Sequence, residues 1–222
     1  METHVMVLAV ALAFTAVLTW IAVARFDHVV ELITRPTFTV LLAGLAWSLA
    51  AQRSSDGATE VVADVPGVVP ALGALGLHLL VDLLLLTATE VRYLLALGAG
   101  VVAHVAWGWA VLEVPGHEGI PWWVLAAVPA LTLLHGLWGR DVVRHSGRQR
   151  GAVFLTLLSL AGLVLVAAWQ GDRTVLGGCA LLLVSHLLLG HDRFVLERRW
   201  APVQTLVAHH AALALLVTGL LA

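Results

Sequence analysis

The sequence predicts an all-α polytopic integral membrane protein, a bundle of about eight transmembrane helices. The chain of 222 residues is 60% hydrophobic and only 12% charged, whereas soluble domains carry about 25% charged residues. Apolar stretches long enough to cross a bilayer, about 20 residues each, recur along the chain. All twelve basic residues are arginines, and they cluster in alternate loops. We therefore expect one transmembrane helical domain over residues 1–222.

Eight apolar segments are predicted to be the helices of this bundle. The first lacks a basic leading region and stays apolar up to Arg25, so we interpret it as a retained helix and not a signal peptide. The second and the seventh are short enough to be tilted or partly re-entrant. The predicted spans are residues 5–24, 36–51, 68–88, 91–112, 121–138, 151–169, 174–190 and 202–221.

Arginine placement predicts the orientation of these helices. Ten of the twelve arginines fall in the loops that follow the odd-numbered helices, and only Arg53 and Arg173 fall on the other side. Cytoplasmic loops are enriched in arginine and lysine. We therefore expect those loops in the cytoplasm, both termini outside and a location in a bacterial inner membrane. Tryptophans near the helix ends, such as Trp20, are expected to anchor the interfaces.

Composition and motifs argue against several function classes. The formal net charge is only −2, so no nucleic-acid partner is predicted. Cys179 is the only cysteine, which excludes an intrachain disulfide and a cysteine metal site. Neither an HExxH motif nor a repeated His-xxx-His motif is present, so we predict no metal and no other cofactor.

Ionisable residues inside the predicted spans form the candidate site, because such residues are costly in lipid and usually face a bundle interior or water. In "LHLLVDLLLL", His78 and Asp82 lie four residues apart and share one helix face. The helical rise places Asp82, His186 and His209 roughly 6 to 10 Å from the cytoplasmic side. His78 and His104 lie roughly 15 to 20 Å deep. We expect the first three to line a polar pocket and the last two to form its floor.

The order of these features resembles the YhhN family of eight-helix membrane proteins, which includes lysoplasmalogenases. The resemblance covers about residues 35–219 and rests on an ordered set of segments, none of them specific alone. The segments are "RPTFTVLL", "LGLHLLVDLLLL", "YLLALGAGVVAHVAWGWA", "LGGCALLLVSHLLLGHDRFV" and "VAHHAALALLVTG".

This chain also departs from the family pattern. His186 stands where the family has the second aspartate, so half of the family's carboxylate pair is replaced by an imidazole. The other departures are Val81 in place of a glycine, His209 and His210 at tyrosine positions, and Leu213 at a glutamine position.

The resemblance implies hydrolysis of the vinyl ether bond of a lysoplasmalogen, a lysophospholipid-type substrate in the membrane, to a fatty aldehyde and a glycerophospho-head group. Burial would keep Asp82 protonated as the general acid, and His186 would act as the base. Arg35, at the predicted start of helix 2, is either a ligand for the lipid phosphate or an ordinary interface anchor. The predicted site residues are Asp82, His186 and His104 for catalysis, and Arg35, His78 and His209 for substrate binding.

Other functions stay open. One is a non-catalytic membrane protein that binds a lipid or a partner, because a fold alone does not confer a function. Another is a zinc-dependent intramembrane hydrolase, in which His78 and Asp82 would be joined by a histidine of another helix. A third is a proton-coupled carrier that uses the same ionisable residues.

Overall fold

The computed structural model describes residues 3–54, 61–87, 89–116 and 121–222. These described residues contain helices and no β-strand. Short 3₁₀ turns lie at Val62–Asp64 and Gly147–Gln149, and a π-helical turn lies at His135–Gly139. The α-helices are α1 (Thr3–Ala24), α2 (His28–Arg53), α3 (Val68–Leu85), α4 (Glu90–Glu113), α5 (Val124–Leu134), α6 (Arg140–His145), α7 (Arg150–Gln170), α8 (Arg173–Phe194) and α9 (Ala201–Leu221).

Seven of the described helices are long and apolar enough to cross a membrane, which confirms the all-α membrane bundle. The fifth predicted span differs from the other predictions. In place of one helix over 121–138, helical structure runs through α5, the π-turn and α6 without a break. Pro129 lies inside α5, and the π-turn adds an extra residue to one turn of the helix. Neither feature was evident from apolar content alone.

The predicted start of the second helix at residue 36 is wrong. The helix begins at His28, where the Asp27 side chain caps it by accepting a hydrogen bond from Val30 N at 3.2 Å. Pro36 lies inside the helix, as membrane helices tolerate where neighbouring groups satisfy the freed backbone. Arg35 therefore lies about two turns inside α2 and not at its start. With 26 residues, α2 is long enough to span the bilayer.

The seven long helices pack as a closed ring. Following the chain, α1 contacts α2, α2 contacts α3, α3 contacts α4, α4 contacts α7, α7 contacts α8, and α8 contacts α9. Helix α9 contacts both α1 and α2, which closes the ring. Helices α5 and α6 lie outside it, against α7 and α8. Residues that point toward the centre of this ring are thereby shielded from lipid.

The contact between α8 and α9 depends on a glycine. A Cβ atom at Gly178 would lie 2.9 Å from Cγ of Leu216 and 3.0 Å from the carbonyl oxygen of Ala212. Small residues permit this approach of two backbones in a membrane, where packing drives helix association. Because α8 carries His186 and α9 carries His209, this contact also sets how closely the two side chains approach.

Candidate functional site

A cavity of about 130 Å³ lies inside the helix ring, and we call it the chamber. Four of the predicted site residues line it: Arg35 from α2, Asp82 from α3, His186 from α8 and His209 from α9. Its wall is mostly apolar, with polar side chains at a few places. The other polar residues of the wall are Glu31, Tyr93, Thr156, Ser185, Asp192 and Thr205.

Asp82 is the most fully bonded group of the chamber. Its side chain is buried, and its Oδ1 accepts a hydrogen bond from Arg35 Nε at 2.9 Å. Its Oδ2 is hydrogen-bonded to the Thr39 hydroxyl at 3.0 Å. A buried carboxyl group needs such partners, because the hydrocarbon around it offers none.

Two carboxyl groups share the single guanidinium of Arg35. In addition to the contact with Asp82, Nη1 of Arg35 lies 3.4 Å from Oε1 of Glu31. Glu31, Arg35 and Thr39 are spaced four residues apart, so they occupy one face of α2. One positive charge can neutralise only one of the two carboxylates, and Asp82 is the more deeply buried of the two.

Four imidazoles gather at the deep end of the chamber, and we call them the histidine cluster: His78, His104, His186 and His209. The ring centroids of His78 and His209 are 5.1 Å apart, as are those of His104 and His186. The two other sides of this quadrilateral measure 6.4 Å, from His78 to His104, and 6.5 Å, from His186 to His209. Four different helices thus bring four rings into contact.

Hydrogen bonds fix the tautomers of two of these rings in their neutral form. Nδ1 of His186 lies 3.0 Å from the carbonyl oxygen of Leu182, which can only accept, so Nδ1 carries the proton. The Ser159 hydroxyl donates to the carbonyl oxygen of Thr156, so it accepts from Nδ1 of His104 at 2.8 Å. In both rings Nε2 is left with a free lone pair.

The remaining nitrogens of the cluster have few partners. Both ring nitrogens of His78, Nε2 of His104 and Nε2 of His209 are buried without a hydrogen bond to any described protein group. Buried polar atoms are usually hydrogen-bonded, and exceptions often mark a functional site. The histidine cluster therefore has unused capacity to bind a polar ligand group or water.

His210 lies outside the cluster although it follows His209 directly. Its Nδ1 accepts a hydrogen bond from Nε1 of Trp20 at 3.1 Å, and its ring stacks on Phe38 at a centroid distance of 3.8 Å. His210 therefore joins α9 to α1 and α2. Trp20, expected as an interface anchor, makes a contact between helices through this bond.

The zinc hypothesis finds no converging ligand set. Among residues 3–54, 61–87, 89–116 and 121–222, no group of three or more His, Cys, Asp or Glu side chains is arranged to hold a metal ion. The rings of the histidine cluster lie near one another, with neighbouring centroids 5.1 to 6.5 Å apart. We therefore derive no step through a metal.

The structure brings all six predicted site residues together. Arg35, Asp82, His186 and His209 line the chamber, and His78 and His104 lie against its histidines. Sequence reasoning missed Glu31, Thr39 and Ser159. The first two could have been found from their spacing with Arg35, but the predicted start of α2 left Glu31 outside the helix.

A scan of known families finds one that covers these elements. The model of the YhhN family matches residues 30–220, which include α3 to α8, most of α2 and of α9, and every predicted site residue. A search of curated proteins and a search of solved structures gave no match.

Proposed function

The chain belongs to the YhhN family, and from this premise we propose that it is a membrane lipid hydrolase of the lysoplasmalogenase type. The observation that carries the proposal is a buried carboxyl group, Asp82, in the same chamber as an imidazole, His186, whose Nε2 lone pair is free. An acid and a base in one enclosed cavity are the two groups that vinyl ether hydrolysis needs.

Asp82 acts as the general acid in this proposal. The positive charge of Arg35 can neutralise only one carboxylate, and both Asp82 and Glu31 lie beside it. The two carboxyl groups together therefore retain one proton, because a second negative charge is costly in a region of low polarity. Oδ1 of Asp82 is held by Nε–H of Arg35, and therefore the proton is carried by Oδ2. The Thr39 hydroxyl, which donates to Oδ2 in the structure, holds this oxygen in place, and substrate entry directs the proton of Oδ2 toward the vinyl ether.

His186 acts as the base. Its neutral ring is held in one tautomer by the carbonyl oxygen of Leu182, which leaves Nε2 to accept a proton from water. An imidazole suits this task near neutral pH, because it can take up and release a proton there. The histidine at this position thus performs the role of the second aspartate that the family resemblance implies.

The steps balance with one water molecule consumed. Asp82 protonates the vinyl carbon that is not bonded to oxygen, which gives an oxocarbenium ion at the other vinyl carbon. Water adds there and gives one proton to His186, forming a hemiacetal. The hemiacetal collapses as His186 protonates the leaving glycerol oxygen, and the hemiacetal hydroxyl returns its proton to Asp82. The products are a fatty aldehyde and a glycerophospho-head group.

The substrate enters from the membrane in this proposal. Arg35 lies at the head-group end of the chamber, where Nη2, the guanidinium nitrogen that neither Asp82 nor Glu31 contacts, would bind the lipid phosphate. We further propose that the arginine-rich loops face the cytoplasm, with both termini outside, in a bacterial inner membrane. In that orientation the chamber faces the cytoplasmic leaflet.

The test is aldehyde release from a lysoplasmalogen by purified protein in detergent. We expect turnover by the wild-type chain and a loss of at least about 100-fold in Asp82→Asn, since a positioned acid contributes about 10² to 10⁴. Asp141→Asn is the matched control, because it makes the same chemical change at an exposed position on α6 and should leave turnover unchanged.

A folded, monodisperse wild-type chain that releases no aldehyde would overturn the proposed activity. The lipid-binding alternative would then take its place, and one observation favours it over the carrier: Asp82 is held by Arg35 and Thr39 together. A binding protein should retain its lysolipid in Asp82→Asn, which equilibrium binding in detergent would measure.

A further inference from the structure

A second, larger cavity lies between α4 and α7, and we call it the α4–α7 groove. It has a volume of about 700 Å³ and an apolar wall formed by both helices. At its inner end are His104 and Ser159, joined by their hydrogen bond of 2.8 Å. At its outer end is Glu113, the last residue of α4.

The groove continues the line of the chamber. On α4, Ala96 and Gly100 line the chamber, and His104 and Gly108 line the groove. These residues are four apart, so they form one stripe along the helix. On the facing helix, Thr156 belongs to the chamber and Ser159, one turn further along, belongs to the groove. The pair of His104 and Ser159 is thus the boundary between the two cavities.

The depth of the groove comes from two glycines. A Cβ atom added at Gly108 or at Gly162 would meet no other atom within 4 Å. These glycines therefore do not serve close helix packing, in contrast to Gly178, where an added Cβ would contact the backbone of α9. The space beside them is left open by the protein itself, and exposed Trp109 and Leu112 flank it on the α4 side.

The dimensions of the groove match one hydrocarbon chain. From His104 to Glu113 the helix rises about 14 Å. This is about half of a hydrocarbon core some 30 Å thick. The polarity along the α4–α7 line therefore changes from a charged end at Arg35, through the histidine cluster, to an apolar stretch that extends as far as Glu113. A single-chain amphiphile has the same order of parts.

We propose that the α4–α7 groove binds the hydrocarbon chain of a single-chain lipid whose polar part lies in the chamber, and that the pair of His104 and Ser159 separates the two parts. The inference rests on the proposed function for the position of the reacting bond. It adds where the chain lies and which residues limit its length.

The experiment uses a lysophosphatidylcholine with a diazirine at the end of its acyl chain, added to the full-length protein in detergent and activated by light. We expect mapped adducts on α4 and α7 beside Gly108 and Gly162, and their loss when excess lysophosphatidylcholine without the diazirine competes. Gly108→Leu and Gly162→Leu fill the groove and should lower this labelling by about tenfold or more, as occupying an apolar pocket does.

Two glycines supply matched controls. Gly98 on α4 and Gly151 on α7 are exposed, and an added Cβ at either meets nothing within 4 Å. Gly98→Leu and Gly151→Leu should therefore leave labelling unchanged. Adducts spread evenly over the lipid-facing helices, or equal labelling of Gly108→Leu and Gly98→Leu, would overturn the proposal.

The outcome separates the groove from the proposed activity. Labelling confined to the groove in a chain that releases no aldehyde would support the chain site and reject the hydrolase. Aldehyde release without labelling in the groove would support the hydrolase and reject the chain site. If the protein releases aldehyde and is labelled in the groove, Gly108→Leu should reduce the turnover of long-chain lysoplasmalogens. Turnover of short-chain ones, whose ends do not reach past His104, should be unchanged.

Discussion

The two ends of the chamber differ in how their polar atoms are satisfied. At the end formed by α2 and α3, both carboxyl oxygens of Asp82 have hydrogen-bond partners, one of them a guanidinium. At the end formed by the histidine cluster, both nitrogens of His78 and Nε2 of His104 have none among the described protein groups. Both ends are buried, but at the histidine end only Nδ1 of His104 and Nδ1 of His186 have hydrogen-bond partners within the described part of the chain.

Because of this difference, we expect substitutions at the two ends of the chamber to affect different properties of the protein. Breaking a satisfied buried ion pair leaves an unpaired charge, whereas removing a buried polar group that has no partner removes a source of instability. The charged end should therefore be sensitive to substitution in stability measurements. The histidine end should be sensitive mainly in measurements of ligand binding and turnover.

The largest expected effect is at the ion pair. Arg35→Gln removes the one cation that Asp82 and Glu31 share, which leaves a carboxylate charge of this pair without a counter-ion and should lower the free energy of unfolding by about 3 to 5 kcal/mol. The double variant Arg35→Gln with Asp82→Asn should recover part of this loss, because Glu31, the one carboxyl group left of the pair, is the less buried of the two. Thermal unfolding in detergent measures both, with Arg25→Gln at an exposed position as the control. Strictly additive losses would contradict the pairing.

A smaller effect is expected at the second oxygen of the same carboxyl group. Thr39→Val keeps the shape of the side chain and removes the hydroxyl partner of Oδ2, which should lower stability by about 1 kcal/mol. Thr37→Val is the matched control, because that exposed hydroxyl bonds only to a carbonyl of its own helix. If the two variants unfold at the same temperature, the Thr39 bond does not support the carboxyl group.

The smallest effect is expected at the histidine end. His78→Leu removes two nitrogens without hydrogen-bond partners, so its unfolding free energy should change by less than about 1 kcal/mol. His210→Leu, in contrast, loses a hydrogen bond to Trp20 and a stacked ring, and it should be clearly destabilised. Parallel thermal unfolding compares the two. A loss in His78→Leu as large as in His210→Leu would show that His78 contributes to stability as much as a hydrogen-bonded, stacked histidine and would contradict this prediction.

The sequence predicted the fold class because apolar length alone decides which segments can cross a bilayer. It also predicted that these ionisable side chains lie together, since such groups are costly in lipid and usually face the interior of a bundle. His78 and Asp82 illustrate this, because their shared helix face follows from their spacing. Such predictions require no knowledge of the contacts between helices.

What the sequence did not yield depends on local geometry and on neighbours. Placing the start of the second helix at residue 36 hid Asp27 as its cap and left Glu31 and Arg35 outside it. The bond of Ser159 to His104 joins helices that are far apart in sequence, and no spacing rule predicts it. The π-turn within the fifth span is likewise a property of backbone hydrogen bonding and not of apolar content.

The order of the helices around the ring also bears on how the protein enters the membrane during synthesis. Arg35 and Asp82 lie on consecutive helices, so their pair can form once that hairpin has inserted, and neither charge needs to remain alone in lipid. The histidine cluster draws on α3, α4, α8 and α9 and is complete only when the last helix arrives. An imidazole can stay neutral until the last helix has inserted, whereas a guanidinium remains charged. The positions of the two ends along the chain thus match the order in which a translocon delivers them.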